Sequence, residues 1–321
     1  MSGGANGYIV AMSDQTTPAC AIIGPLLYLT VTVEVEAGGV ERVHLHPGGQ
    51  GFWVARMLQV LGCDHRLVSP IGGEAGTVLS ALLPDWGIEF DAIQTSISSP
   101  TQIHDRRSGE RVELVAVETP QLNRHEADDL YGAALQAGLR SGAVVLTSAG
   151  DTMLPDEAYC RLIKDFNANG TRVFCDLHGE ALATALEGGE LEVLKISEDD
   201  LIADGWTMGS ESQAIEAAQA LVARGAHTVV LSRAESPAVA CIDGRVVRIT
   251  PPSVTEVDHR GAGDSMTAGI VVGRLRGLDE IDAIRLGAAA GTGNVTRHGL
   301  GSGDPDLIAE LAELVKIEDI P

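Results

Sequence analysis

Lysine is nearly missing from this 321-residue chain; Lys164, Lys195 and Lys316 are the whole supply. None follows a glycine, so a Walker-type phosphate loop is excluded. Basic residues as a class are scarce, 22 against 45 acidic ones, for a formal charge of −23. Such a field repels phosphate backbones and anionic lipid, so neither nucleic acid nor a membrane surface is expected as a partner. The apolar stretch nearest the N-terminus, Ala19 to Leu29, is interrupted by Gly24 and Pro25 and is too short to span a bilayer. No basic residue precedes Arg42, so a secretory leader is not expected and the chain reads as cytoplasmic. Five cysteines lie far apart with no C-x-x-C pair, the pattern of buried thiols in a reducing compartment. Also missing are a G-x-G-x-x-G after a strand, an H-E-x-x-H and a G-x-S-x-G. His44 and His46, two apart on an expected strand, read as ordinary surface residues.

What is present is alternating periodicity. Apolar residues recur every second position in short runs and every third or fourth in longer ones, which predicts strands and crossover helices in turn. From residue 123 onward, helices near 123–141, 155–169, 179–188 and 211–225 alternate with strands at 143–147, 171–176, 191–196 and 227–232. That order predicts an α/β fold, a doubly wound parallel sheet covered on both faces. Two stretches do not fit the layer. Residues 28–45 and 88–117 read as short strands with no helix between them, expected together as a small β-sheet lid. The division is then a loose tail at 1–17, with Met12 a possible start. A core follows from 18–27, 46–87 and 118–321, with a lid from 28–45 and 88–117.

Two segments carry chemistry. Gly261-Ala262-Gly263-Asp264-Ser265 opens an expected helix. Small residues there bare consecutive N–H groups at the positive end of a helix dipole, which suits an anion. An ionised Asp264 beside such a cradle suits removal of a hydroxyl proton while a phosphoryl group arrives. The same residues also fit a glycine-rich turn with an acidic first-turn residue. The second segment is Pro47-Gly48-Gly49-Gln50-Gly51-Phe52-Trp53-Val54-Ala55-Arg56, where glycines before a helix would let a ligand approach the backbone. A tight strand–helix junction explains it equally.

Together and in this order, the two segments resemble the PfkB/ribokinase carbohydrate-kinase family, in its 1-phosphofructokinase-like branch. The resemblance runs from about residue 20 to 312 and includes Gly72-Gly73, Lys195, Gly287–Thr296 and Gly299-Leu300-Gly301. It implies a ribokinase-like core with a β-sheet lid over the active site, and an ATP-dependent kinase with an alcohol acceptor. It also implies Asp264 as the base and Gly261, Ala262 and Gly263 as the anion hole, with adenine near the helix of Asn294. Mg²⁺ is implied with the nucleotide, and an activating monovalent cation is left open. In relatives the lid often forms a dimer interface, so a homodimer through 28–45 and 88–117 is expected.

The chain departs from the family on both sides of the phosphoryl path. By register Tyr28 stands where the branch has a sugar-holding Asp. Gln50 replaces the Lys of G-G-K-G, Trp53 replaces an Asn, and Gln102 stands where the lid carries an Arg. Two cations for a sugar phosphate are gone, and aromatic faces have arrived. The expected acceptor is therefore a small unphosphorylated sugar or a nucleoside, met by Tyr28, Gly48, Gly49, Gln50, Trp53 and Gln102. On the nucleotide side the family's N-x-x-E reads Ser197-Glu198-Asp199-Asp200, with Asp200 holding a metal through water. The loop S-x-G-x-x-G reads Ser232-Arg233-Ala234-Glu235-Ser236-Pro237, with Arg233 offering charge in place of glycine. The alternative reading is a non-catalytic, ligand-binding member of the same fold.

Overall fold

A computed structural model of the chain describes residues 19–36, 38–117, 121–148, 153–234 and 236–320. The expected loose tail at 1–17 lies outside the described residues. The chain enters at β1 (Ala19–Ile23), and β1 shows at once what kind of sheet this is. Cys20 and Ile22 pack into the core on one face, Ala21 and Ile23 into the core on the other. A strand can be apolar at every position only when both faces are covered.

After β1 the chain forms β2 (Tyr28–Glu36) and β3 (Val40–Gly48), then α1 (Gln50–Val60), β4 (Asp64–Ile71), α2 (Gly73–Asp85) and β5 (Phe90–Gln94). Next come β6 (Thr101–Asp105), β7 (Val112–Ala116), α3 (Arg124–Ser141), β8 (Ala143–Thr147) and α4 (Asp156–Ala168). They are followed by β9 (Arg172–Asp176), α5 (Gly179–Gly188), β10 (Leu191–Ser197), α6 (Glu198–Ala203) and α7 (Glu211–Val222). Strands β11 (Ala226–Arg233), β12 (Ser236–Ile242) and β13 (Arg245–Thr250) precede α8 (Ala262–Leu275), α9 (Glu280–Val295), α10 (Pro305–Leu314) and β14 (Lys316–Asp319). None of the described helices is long and apolar enough to cross a membrane.

Ten strands form one sheet in the order β14-β13-β12-β11-β10-β9-β8-β1-β4-β5. Pairing is parallel from β5 across to β11 and antiparallel beyond it. From β1 the chain winds outward to β4 and β5, then returns through α3 to β8 on the other side of β1. The order therefore reverses between β1 and β8, and a crevice outside the strand ends opens at such a reversal.

Helix α8 is set by its neighbour α9. A β-carbon on Gly269 would stand 2.7 Å from the α-carbon of Gly287, and one on Gly273 would stand 2.7 Å from that of Ala283. The two backbones touch, and small residues are what permit it. This contact fixes where the first turn of α8 ends up.

The second sheet is the lid, four strands in the order β3-β2-β6-β7. Strand β5, expected in the lid, instead pairs with β4 at the edge of the large sheet. Its partner strand is parallel and its exit leads directly into the lid, which is why periodicity alone grouped it with β6 and β7. The lid is inverted relative to an ordinary sheet on a core. Thr30, Thr32, Gln102 and His104 face inward, whereas Val35, Val43, Leu45 and Val115 are exposed.

Candidate active site

Asp264 occupies the first turn of α8, which begins at Gly261 with a left-handed backbone, φ 75°. A side chain there would also press on Leu300 Cβ at 3.0 Å, so glycine is required twice over. The N–H of Ala262 donates to His259 O at 3.4 Å, and that of Ser265 to Gly261 O at 2.9 Å. Those of Gly263 and Asp264 belong to the first turn and have no intrahelical acceptor, so they point out of the helix.

Around Asp264 stand three charged groups from strand ends. Asp176 closes β9, Lys195 lies near the end of β10, and Asp200 lies in α6 just beyond it. The Lys195 ammonium sits 3.5 Å from the Asp176 carboxylate, and both side chains are buried. Thr267, one turn along α8, donates its hydroxyl to Asp176 at 2.7 Å. Burial alone would depress the lysine, but the carboxylates of Asp176, Asp264 and Asp200 outweigh it and raise its pKa. It stays an ammonium.

For Asp264 the balance runs the other way. Withdrawal from water, then the Asp176 charge, push its carboxyl up to about 7, against the lowering influence of Lys195 and a hydrogen bond from the Gln50 side chain. Gln50 is the first residue of α1, and its carbonyl oxygen accepts from the Ser148 N–H at 2.8 Å. That leaves the amide NH₂ for Asp264.

A cavity of about 510 Å³ opens beside Gly261, between the lid and the core. Tyr28, Trp53 and Gln102, three of the expected acceptor residues, line it together. The Tyr28 and Trp53 rings meet edge to face, 6.1 Å between centroids at 86°. Burial first, with Asp264 also contributing, pushes the Tyr28 hydroxyl up to about 12, while Arg111 and Arg260 pull against it. Tyr28 thus lies within electrostatic reach of both the carboxylate and the cavity's arginines.

The other three expected acceptor residues are placed differently. Gln50 lies at the base, as above, and is not in the cavity wall. Gly48 faces the Tyr28 ring, where a β-carbon would come within 2.3 Å of it, and Gly49 has φ 125° with Leu26 O where a β-carbon would be. Both glycines serve packing at the entrance to α1. Phe52 is buried against Trp86. His46, read as a surface residue, lines the cavity, and burial and the nearby Arg56 push its pKa down to about 4.

On the nucleotide side, Ser197 caps α6 in a reciprocal pair with Asp200. The serine hydroxyl accepts from the Asp200 N–H at 3.0 Å, and Asp200 Oδ2 accepts from the Ser197 N–H at 3.0 Å. One Asp200 oxygen is thereby spent and the other is not. Ser232 donates weakly to Ile196 O at 3.5 Å. Arg233, expected to offer charge to a phosphate, is buried and faces Glu198 at 3.6 Å. Asn294, expected near adenine, is buried with both ends engaged. It donates to Arg260 O at 2.7 Å and accepts from the Ser302 N–H at 3.3 Å. Its observed work is to brace the loop that leads into α8.

Sequence reasoning missed Asp176 and gave Lys195 no role. The signals were there: an acid ending the apolar strand 172–176 before a Gly-initiated helix, and one of three lysines inside the apolar strand 191–197. Among the described residues no group of three or more His, Cys, Asp or Glu could cage a metal. A magnesium ion fits here only in the manner of one carried by a nucleotide, with water between it and one or two carboxylates such as Asp200.

Residues 20–307 match the profile of the family described as pfkB family carbohydrate kinase. The ATP-dependent 6-phosphofructokinase isozyme 2 of Mycobacterium tuberculosis is 30% identical over 304 residues, 91% of this chain and 88% of that protein. The 1-phosphofructokinase of Bacillus subtilis is 26% identical over 298 residues, 90% of this chain and 95% of that one. Among solved structures, phosphofructokinase-2 from Escherichia coli in complex with potassium superposes with a TM-score of 0.82 at 25% identity, over 93% of this chain and 99% of that one.

Proposed function

The chain belongs to the pfkB family of carbohydrate kinases, and on that premise we propose that Asp264 is the base that activates a sugar hydroxyl toward ATP. One observation carries the proposal: Asp264 lies in the first turn of the helix whose cap, Gly261, lines a sugar-sized cavity, with burial and Asp176 pushing its carboxyl up to about 7. A base is most effective when its pKa is close to the working pH.

The acceptor enters between lid and core and presents its hydroxyl to Asp264. The transition state for phosphoryl transfer is loose, so the hydroxyl proton leaves late and a carboxylate is a sufficient base. The first-turn amides of α8 receive the negative charge of the transferring group. Lys195, kept charged by its carboxylate neighbours, faces the same point. Gln50 orients Asp264 and is itself fixed by Ser148. Asp200 would hold, through water, a magnesium ion carried by the nucleotide, which would supply neutralisation of phosphate charge. We further propose that the exposed valine-rich face of the lid is covered by a second copy of the chain.

The expected acceptor class is revised. An unphosphorylated sugar or nucleoside followed from the loss of cations at positions 50 and 102. The relatives are phosphofructokinases, and the cavity is lined by arginines from other positions. Both favour a phosphorylated sugar. The test is a panel of pentose and hexose phosphates and the matching free sugars with Mg-ATP, using wild type and Asp264→Asn. Product formation that falls on the order of 10³-fold or more in the variant is expected. Equal turnover by both proteins removes Asp264 from the role, and no turnover by either favours a non-catalytic relative.

A further inference from the structure

The cavity beside Gly261 is basic in a chain that is strongly acidic. Four arginines line it (Arg56, Arg106, Arg111 and Arg260) against two carboxylates, Glu113 and Asp258. Elsewhere acids outnumber bases about two to one, and most arginines are ion-paired. A local excess of positive charge inside a negative molecule calls for a reason.

The four are not equivalent. Arg56 is committed, donating to Leu300 O and stacked 4.4 Å above Trp86. Arg260 is forked onto Asp258, with Nε 2.8 Å from Oδ1, and the two side chains flank the entry to α8. Arg111 differs from both. It immediately precedes β7 of the lid, has no carboxylate within 4.0 Å among the described residues, and donates only to the His104 ring, at 2.6 Å to Nε2. Glu113, the nearest acid on that strand, faces His104 at 3.8 Å instead.

Arg111, His104 and Arg260 also feel one another. Burial, then the Arg111 charge, keep His104 neutral, with Arg260 adding to the effect. Burial, then Arg260, lower the Arg111 pKa, while Tyr28, Glu113 and Asp258 act in the opposite sense. Two guanidinium groups that line one cavity from the lid and from the core repel each other, and an anion between them relieves that repulsion. A dianionic group there would accept from the Arg111 guanidinium and from the Arg260 nitrogen that Asp258 does not engage, with the neutral His46 and His104 rings as further polar neighbours.

We propose that Arg111 from the lid and Arg260 from the core are the two jaws of a subsite for the phosphate of the acceptor sugar, standing in for the cations absent at Gln50 and Gln102. The inference rests on the kinase reading and names its specificity residues. Because the jaws belong to separate layers, an occupied subsite ties the lid down over Tyr28 and Gly261, next to the base. The far end of the sugar is then held while its free hydroxyl meets Asp264.

The experiment uses the full chain and two readouts. Calorimetry without ATP compares fructose 6-phosphate, fructose 1-phosphate, ribose 5-phosphate, the free sugars and gluconate. Initial rates with Mg-ATP follow for every binder. Arg111→Gln, on the exposed lid, is the principal variant; Arg260→Gln and Arg260→Lys accompany it because Arg260 also anchors Asp258. The expected result is that a phosphosugar binds at least tenfold more tightly than its free sugar. Arg111→Gln then raises its Kd and KM about tenfold to a hundredfold with kcat within about threefold, and leaves free-sugar binding unchanged. Turnover that is indifferent to Arg111 and Arg260 overturns the subsite and leaves the kinase reading standing. Arg111-dependent binding without turnover supports the subsite and defeats the kinase reading. Tighter binding of gluconate than of any phosphosugar, or no binding by the panel, overturns the subsite.

Discussion

The Lys195 ammonium lies so close to the α-carbon of Gly263 that a β-carbon built there would come within 2.5 Å of it. The second glycine of the 261–263 segment therefore leaves room for a side chain of the protein as well as for a ligand. Gly263→Ala is expected to push the ammonium away from Asp176 and from the first turn of α8. Since that atom is the end of a flexible chain, the fold should survive. Steady-state kinetics should show kcat lowered on the order of 10²-fold, the scale for loss of one preorganised charge or donor. A variant with full kcat would mean that Lys195 does not act at that point.

The raised carboxyl of Asp264 fixes the sign of two pH effects. Its pKa of about 7 in the folded chain lies above the value of about 3.9 for an unfolded aspartate, so the folded state binds this proton more tightly. The stability it contributes is greatest below about pH 4 and is lost as pH rises toward 7. Asp264→Asn, which carries no charge at any pH, should be more stable than wild type at pH 8 and should lose that advantage near pH 4. Urea titrations at the two pH values measure it. Activity runs oppositely, because only the ionised carboxylate accepts a proton: kcat/KM should rise through about 7. Gln50→Ala should move that limb upward, since the Gln50 hydrogen bond favours the ionised form. An unmoved limb would separate Gln50 from the base.

Much of this was legible in the residue pattern, and the failures have physical causes. Alternating periods gave the doubly wound core because buried parallel strands are apolar at every position, as β1 is. The place of Asp264 in the first turn of a glycine-capped helix was legible because Gly261-Ala262-Gly263 precedes it in the sequence. Tyr28, Trp53 and Gln102 were legible as neighbours in one cavity, whereas its arginines were not, because positions 50 and 102 hold glutamines. Arg111 and Arg260 reach the same cavity from the segment before β7 and from the loop before α8, and no local pattern marks either. Strand β5 was misassigned because nothing within five residues tells a sheet edge from a lid. Asn294 was given to adenine, whereas its amide is engaged by backbone that only the folded chain brings near it.

Asn294 accordingly makes a prediction of a structural kind. Its amide satisfies one carbonyl and one N–H on the two loops that flank Gly261. Asn294→Ala leaves both without that partner in a partly buried place, at a cost of about 1 kcal/mol or more. Urea unfolding should show the loss directly. Because the loops carry Arg260 and pack on Gly261, KM for the acceptor should rise more than KM for ATP. A rise confined to ATP would return Asn294 to the nucleotide site.

The lid makes the last prediction. Its inner face is polar because it roofs a wet cavity, which leaves its apolar residues outside. Val43 is 63% exposed, Leu114 55% and Leu45 45%, on a sheet with β3 and β7 as open edges. Exposed apolar surface of this kind on one face of a sheet is the kind that interfaces cover. Charged residues could have blunted the edges, and Arg42 and Arg107 are instead neutralised by Glu36, Asp105 and Glu41. A symmetric pair of lids would bury the same patch on both copies. Sedimentation equilibrium should therefore give about twice the 33.5 kDa of one chain, and Val43→Glu should shift the mass toward the monomer, since it would set two carboxylates near each other across the two-fold. Acceptor KM should rise in that variant as the lid loses its backing, while Asp264 and α8 are untouched. A wild-type mass of 33.5 kDa at millimolar concentration would leave the outer face of the lid without this explanation.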